Sequence, residues 1–170
     1  VFYALDHFVR LADAGLDVAA VNLSLATASL YAGACDAVQT GEIDGAGFAA
    51  MLADLRDRGV AVTVASGNDG VAGRMAFPAC LSAAVAVGAT DLADHIAPFS
   101  NTAAGMDLLA PGATSGSSSL AIPSGTGYSQ WAGTSFAAPH AAGAYALLDG
   151  RYPTATVDQR LWFLRTAGVA

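Results

Sequence analysis

Ser135 and Asn68 are the two side chains whose surroundings could do chemistry. Ser135 lies in Gly133-Thr134-Ser135-Phe136-Ala137-Ala138-Pro139-His140, where a loop passes into a helix. The leading amides of a helix lack intrahelical acceptors, so negative charge developing beside them is stabilised. A serine there is also an ordinary N-cap, and position alone leaves both readings open. Asn68 lies in Val62-Thr63-Val64-Ala65-Ser66-Gly67-Asn68-Asp69-Gly70, a glycine-flanked turn directly after an apolar run. Forming the turn is the plain use of an asparagine in that place, although its carboxamide keeps a donor and an acceptor. A serine hydroxyl also needs a base to take its proton. The histidines stand in Asp6-His7-Phe8, in Asp94-His95-Ile96 and at His140, on the helix that Ser135 opens. Lysine is absent, which excludes a Ser–Lys dyad, a lysine Schiff base and a Walker-type phosphate loop. An α/β-hydrolase elbow needs Gly-x-Ser-x-Gly, and Ala137 stands where the last glycine belongs.

The elements that must position these segments follow from hydrophobic periodicity. Phe2, Leu5, Val9, Ala12 and Leu16 recur at helical spacing; Gly15 and Asp17 interrupt them, and Val18 to Leu25 reads as a buried strand. Residues 26 to 47 are rich in small and polar types. Phe48, Met51, Leu52 and Leu55 then form one apolar stripe of a second helix, closed by Arg56, Arg58 and Gly59. Val60 to Ala65 is a second strand, so residues 18 to 65 make a strand–helix–strand crossover, which favours parallel pairing. A further strand is expected over Ala84 to Ala89, and Asp91 to Trp131 reads as loops and short strands, including Ala113 to Ser119. From Ser135 to about Gly150 the many alanines and glycines predict a closely packed, buried central helix. Thr156 and Gln159 have capping-box spacing ahead of a last short helix. The fold class is α/β, with neither an internal repeat nor an interdomain linker.

The chain has 170 residues, 54% of them hydrophobic, yet charges interrupt each apolar stretch before it reaches membrane-spanning length. Seven arginines face fourteen acids, a formal net charge of −7, so neither nucleic acid nor membrane is an expected partner. Cys35 and Cys80 permit one disulfide or two buried thiols, and their count does not choose between them. The start, Val1-Phe2-Tyr3-Ala4-Leu5-Asp6, lacks an initiator Met and a targeting signal, so the true N-terminus is expected upstream.

Gly133-Thr134-Ser135-Phe136-Ala137-Ala138-Pro139-His140 resembles the nucleophile signature of the subtilisin-like serine proteases, with Phe136 in place of the usual Met. Ser66-Gly67-Asn68, Ala84-Val85-Ala86-Val87-Gly88-Ala89, Phe99-Ser100-Asn101 and Leu109-Ala110-Pro111-Gly112 resemble further family segments in the family's order. The resemblance runs over roughly residues 18 to 150. It implies a three-layer fold with a mainly parallel sheet flanked by helices, and serine-type endopeptidase activity on peptide or protein substrates. Ser135 would be the nucleophile and Asn68 the oxyanion donor. Ser24, Leu25 and Ala26 would pair with the extended substrate as an added strand. The family usually has Gly-Gly where this chain has Ala26-Thr27, two methyl-bearing residues that bear on cleft width. Ala65, Ser66 and Gly67 would form the opposite wall of the specificity pocket. A sedolisin, which the Gly-Thr-Ser turn also resembles, would have Asp at the oxyanion position instead of Asn68.

The family's triad runs Asp, His, Ser along the chain, and its Asp and His segments belong upstream of the substrate-binding strand. Neither segment is present, and none of the three histidines matches the general base. The expectation is therefore that residues 1 to 170 are the C-terminal portion of a catalytic domain, missing its N-terminal part and inactive alone. The alternative is a non-catalytic, subtilase-derived binding or scaffolding domain. The resemblance also extends to the paired cysteines of some secreted members, which implies a Cys35–Cys80 bridge and an extracellular location. The chemistry requires no cofactor. Asp107 resembles an acid that helps hold structural calcium in some members, but no metal ligand is assigned.

Overall fold

The computed structural model describes residues 1–41, 43–113, 120–124 and 127–168. The expected Ala113 to Ser119 loop lies outside the described residues from 114 onward. Helix α1 (Phe2–Asp13) leads into strand β1 (Ala20–Leu23). It ends three residues before Leu16 because Gly15 takes a left-handed conformation, φ +82°, as helix-terminating glycines do. After β2 (Leu30–Tyr31), helix α2 (Gly45–Asp57) starts ahead of its apolar stripe, because the Asp44 carboxylate caps it by accepting from Gly47 N–H at 3.0 Å. Strands β3 (Ala61–Ala65), β4 (Met75–Ala76), β5 (Val85–Thr90) and β6 (Leu108–Pro111) follow, then a β7–β8 pair (Leu120–Ser124, Gly127–Trp131). Helices α3 (Thr134–Arg151) and α4 (Val157–Ala167) complete the order. The capping box at Thr156 and Gln159 is formed.

β1, β3, β5 and β6 make a parallel sheet in that spatial order. The sheet is the middle of three layers, and its strands alternate faces as a pleat requires. Val62, Val64 and Ala86 join Leu5, Leu52 and Leu55 in a core beneath α1 and α2. Ala61, Ala65, Val85, Val87 and Ala89 join Ala137, Ala138, Ala141 and Tyr145 beneath α3. Small residues on both sides of that second interface let α3 lie across all four strands. The expectation of a buried central helix holds for this face only. Pro139, His140, Gly143, Ala146 and Leu147 on the other face are exposed, Leu147 at 78%. β1 is an edge strand, with no partner on its outer side among the described residues. Among those residues no helix is long and apolar enough to cross a membrane.

Two cross-links tie distant segments together, one of them inside the first apolar core. Cys35 and Cys80 are disulfide-bonded, with Cα atoms 5.5 Å apart, and join the loop after β2 to the segment after β4. At the far end of α3, Arg160 of α4 is 2% exposed and meets Asp149 at 2.5 Å; it also donates to the Gly59 carbonyl at 3.0 Å, while its Nε has no partner. Removing one member of such a pair strands a buried charge, whereas an apolar pair of similar volume avoids both desolvation costs. Asp149→Ala is therefore expected to destabilise the intact protein by about 3–5 kcal/mol in denaturant unfolding, and Asp149→Leu combined with Arg160→Met by much less. Equal losses would show that the ion pair does not govern this contact.

Candidate active site

Ser135 is the second residue of α3, and the helix begins at the C-terminal ends of β1 and β3, where open parallel sheets place their sites. The turn before it is held from beneath: Gly133 N–H donates to Gly112 O at 3.1 Å. A Cβ on Gly112 would stand 2.6 Å from Ala89 Cβ and 2.8 Å from Gly133 O, so only glycine allows this approach. Ser135 is half-buried and Asn68 exposed. The Ser135 amide has no hydrogen-bond acceptor among the described residues, as expected in a first helical turn.

Thr134 sets the orientation of Asn68. Asn68 Oδ1 accepts from Thr134 N–H at 2.8 Å and from the Thr134 hydroxyl at 2.9 Å, and that hydroxyl accepts from Gly67 N–H at 3.3 Å. With its oxygen doubly engaged, the carboxamide turns its Nδ2 donor away from Thr134, and Nδ2 has no partner among the described residues. Asn101, fully buried, holds the rest of the turn. Its Oδ1 accepts from Asp69 N–H at 3.1 Å and Val71 N–H at 3.0 Å, while its Nδ2 donates to Asp69 Oδ2 at 2.9 Å and Ser66 O at 3.3 Å. Gly67 has φ +107°, and a Cβ there would lie 2.4 Å from Asn101 Nδ2. Sequence reading gave Thr134 and Asn101 no role. Both stand inside segments it singled out, but a hydrogen bond across 66 or 32 residues has no periodic signature.

Ser24, Leu25 and Ala26 continue β1 as exposed residues beside the nucleophile turn, and the Ser24 hydroxyl donates to Ser135 O at 2.6 Å. The β1 ladder stops at Leu23, two residues before the end of the apolar run at Leu25. Ala65, Ser66 and Gly67 are buried, and the Ser66 hydroxyl faces inward onto Asn101 O at 2.9 Å. None of the three histidines hydrogen-bonds Ser135 among the described residues. His140 Nδ1 is 2.7 Å from Phe136 O, His95 lies by Asp91, and His7 is on α1.

Asp107 does not fit a cation ligand. Its Oδ2 accepts from Ala86 N–H at 2.8 Å and its Oδ1 from Arg165 at 2.6 Å, so a guanidinium already supplies the positive charge. Burial pushes its carboxyl above the usual range, while Ala86 N–H and Arg165 oppose that shift.

The five segments that resemble family blocks thus converge on one turn and its supports. The description "Subtilase family" matches residues 6–168. This chain belongs to the subtilase family. Among curated relatives, alkaline elastase YaB of Bacillus sp. (strain YaB) is 47% identical over 96 residues, 56% of this chain and 24% of that protein. Subtilisin Savinase of Lederbergia lenta is 46% identical over 97 residues, 57% of this chain and 34% of that protein. The extracellular serine proteinase of Thermus sp. (strain Rt41A) is 45% identical over 101 residues, 59% of this chain and 24% of that protein. Among solved structures, sphericase superposes with a TM-score of 0.76 at 20% identity, over 97% of this chain and 53% of that one. At that identity the likeness shows the fold alone. This subtilase chain therefore spans about half of that solved chain, and its matches take in 24% to 34% of these curated relatives.

The Asn101 network gives the site a measurable dependence. Asn101→Ala would take the acceptor from the part-buried Asp69 and Val71 amides, at about 1–3 kcal/mol for each group left unsatisfied, while Ser66 O would keep the Ala76 N–H at 3.0 Å. The expected loss in denaturant unfolding of the intact protein exceeds about 2 kcal/mol. A loss below about 0.5 kcal/mol would mean that the turn holds its shape without Asn101.

Proposed function

We propose that this chain carries the nucleophile and oxyanion hole of a subtilisin-like serine endopeptidase that acts on peptide or protein substrates. The observation that carries the reading is the Asn68 carboxamide, tied down through its oxygen by Thr134 so that Nδ2 is left as an open donor at the Ser135 turn. An N-cap serine would need no such arrangement, and neither would a scaffolding domain. Ser135 Oγ attacks the scissile carbonyl; Asn68 Nδ2 and the free Ser135 N–H stabilise the oxyanion. The C–N bond then breaks, the amine leaves with a proton, and water hydrolyses the acyl-enzyme. Residues 24–26 pair with the substrate backbone, and Ala65 to Gly67 shape the far wall of the pocket through their main chain. No cofactor enters these steps.

The base must come from elsewhere, since no histidine here bonds Ser135. The catalytic Asp and His are assigned to sequence upstream of Val1, with residues 1–170 as the C-terminal portion of the catalytic domain. The open outer edge of β1 and the exposed face of α3 support this reading, because both are surfaces on which further elements of one domain could pack. Extracellular action is proposed as well, on the Cys35–Cys80 bridge and on the similarity to the extracellular serine proteinase of Thermus sp..

Fluorophosphonate labelling tests the proposal. The full-length protein is expected to label rapidly at Ser135, and residues 1–170 alone no faster than their Ser135→Ala variant, because a hydroxyl without a base has almost no alkoxide character. Rapid labelling of the short chain would overturn the assignment of the base to upstream sequence, and an unlabelled full-length protein would overturn the peptidase reading. Residues 1–170 alone are also expected to aggregate or to melt without cooperativity, given the unpaired sheet edge. A sharp monomer transition in calorimetry would contradict that.

A further inference from the structure

We infer that Ser24 is a positioning residue for the nucleophile, acting through its side chain on a carbonyl that Pro139 leaves vacant. In an α-helix the carbonyl of residue i accepts from the amide of residue i+4. For Ser135 that partner would be residue 139, and proline has no N–H. Ser135 O is therefore the one carbonyl of the nucleophile turn that the helix cannot satisfy. The Ser24 hydroxyl takes it at 2.6 Å.

The donor's direction is set by a relay across the sheet. Thr63 of β3, fully buried, donates its hydroxyl to Asn22 Oδ1 at 3.3 Å, and Asn22 Nδ2 donates to Ser24 Oγ at 2.9 Å. Because Ser24 Oγ accepts from Asn22, its single proton is left for Ser135 O. Three donors thus point the same way, from β3 through β1 to α3, and a chain of this kind strengthens each member. The bond fixes the peptide plane that follows Ser135, and so the setting of its Cα and Oγ. Ser24, Asn22 and Thr63 act here through side chains, apart from any main-chain pairing between residues 24–26 and a substrate.

The kinetic consequence rests on the peptidase reading above, and the experiment separates the two. Labelling rates with a small fluorophosphonate that lacks any peptide are measured for the full-length protein and for Ser24→Ala, Ser24→Thr, Pro139→Ala and the Ser24→Ala/Pro139→Ala double variant, each with its melting temperature. Such a probe makes no strand pairing, so it reads the reactivity of Ser135 alone. Ser24→Ala is expected to slow labelling about five- to tenfold, the scale of a small misplacement of reacting groups. Its melting temperature should move by no more than about 2 °C, and Ser24→Thr, which keeps the hydroxyl, should restore the rate to within about twofold. In the Pro139→Ala background the returned amide of residue 139 satisfies Ser135 O, so loss of Ser24 should cost less than about twofold. Rapid labelling that is indifferent to Ser24, or an equal loss in both backgrounds, would overturn the inference while leaving the peptidase reading intact. A full-length protein that never labels would overturn both.

Discussion

Methyl groups set the distance between α3 and the sheet. Ala137, Ala138 and Ala141 share a buried cluster with Ala61, Ala65 and Ala89, beside the larger Val85, Val87 and Tyr145. A leucine at any of these positions would push the helix outward, because well-packed interiors have no spare volume. The close seating brings the Gly133 amide onto the Gly112 carbonyl at 3.1 Å, and it holds the first turn of α3 over the ends of β1 and β3. Every polar contact at the site presupposes that placement. Ser24 could not reach Ser135 O, nor Thr134 reach Asn68, from a helix one methylene further away.

On that frame the polar groups divide into two networks that meet at the nucleophile turn. One runs from Asn101 through Ser66, Asp69 and Val71 and shapes the Asn68 turn; the other runs from Thr63 through Asn22 and Ser24 to Ser135 O. Buried polar groups are costly unless they are fully partnered, and here nearly every one is. Two donors at this turn, Asn68 Nδ2 and the Ser135 amide, have no partner among the described residues, and they are the pair that the proposed reaction would use. Oriented dipoles that need not move when charge appears are the basis of electrostatic catalysis, so their lack of protein partners is itself informative.

Much of this was legible in the sequence, and the limits have physical causes. Val60 to Ala65 and Ala84 to Ala89 read as strands because buried parallel strands are continuous apolar runs, and Thr156 and Gln159 announced α4 through capping that is local by nature. Ser135 and Asn68 sit at boundaries where a loop meets a helix or a strand meets a turn, but position alone leaves them an N-cap and a turn residue, and only the family resemblance gives them a chemical role. The start of α2 was missed because Asp44 caps it three residues ahead of the apolar stripe. The burial of α3 was overstated: alanine and glycine pack equally well on every side, so composition could not tell one buried face from two. Ser66 is expected on a pocket wall by resemblance, and its hydroxyl turns inward to Asn101 O. Thr134, Asn101, Asn22 and Thr63 act through contacts between distant segments, which no local pattern encodes.

The way the site is divided along the chain has a consequence for how it is assembled. Everything that orients Asn68 and Ser135 lies between Asn22 and Pro139, in the crossover unit and the helix that packs on it. Within these residues Asn68 and the Ser135 turn are held by hydrogen bonds that require no imidazole. A base approaching Ser135 would meet a carbonyl already bound to Ser24 and an Asn68 already oriented by Thr134, so it would have only the Ser135 hydroxyl to engage. Preorganising the electrostatic half of a site independently of its proton acceptor lowers the reorganisation left for the reaction step, which is the larger part of what such sites contribute to rate. The orientation of an amide is free to change unless hydrogen bonds decide it, and those at Asn68 and Asn101 involve no histidine.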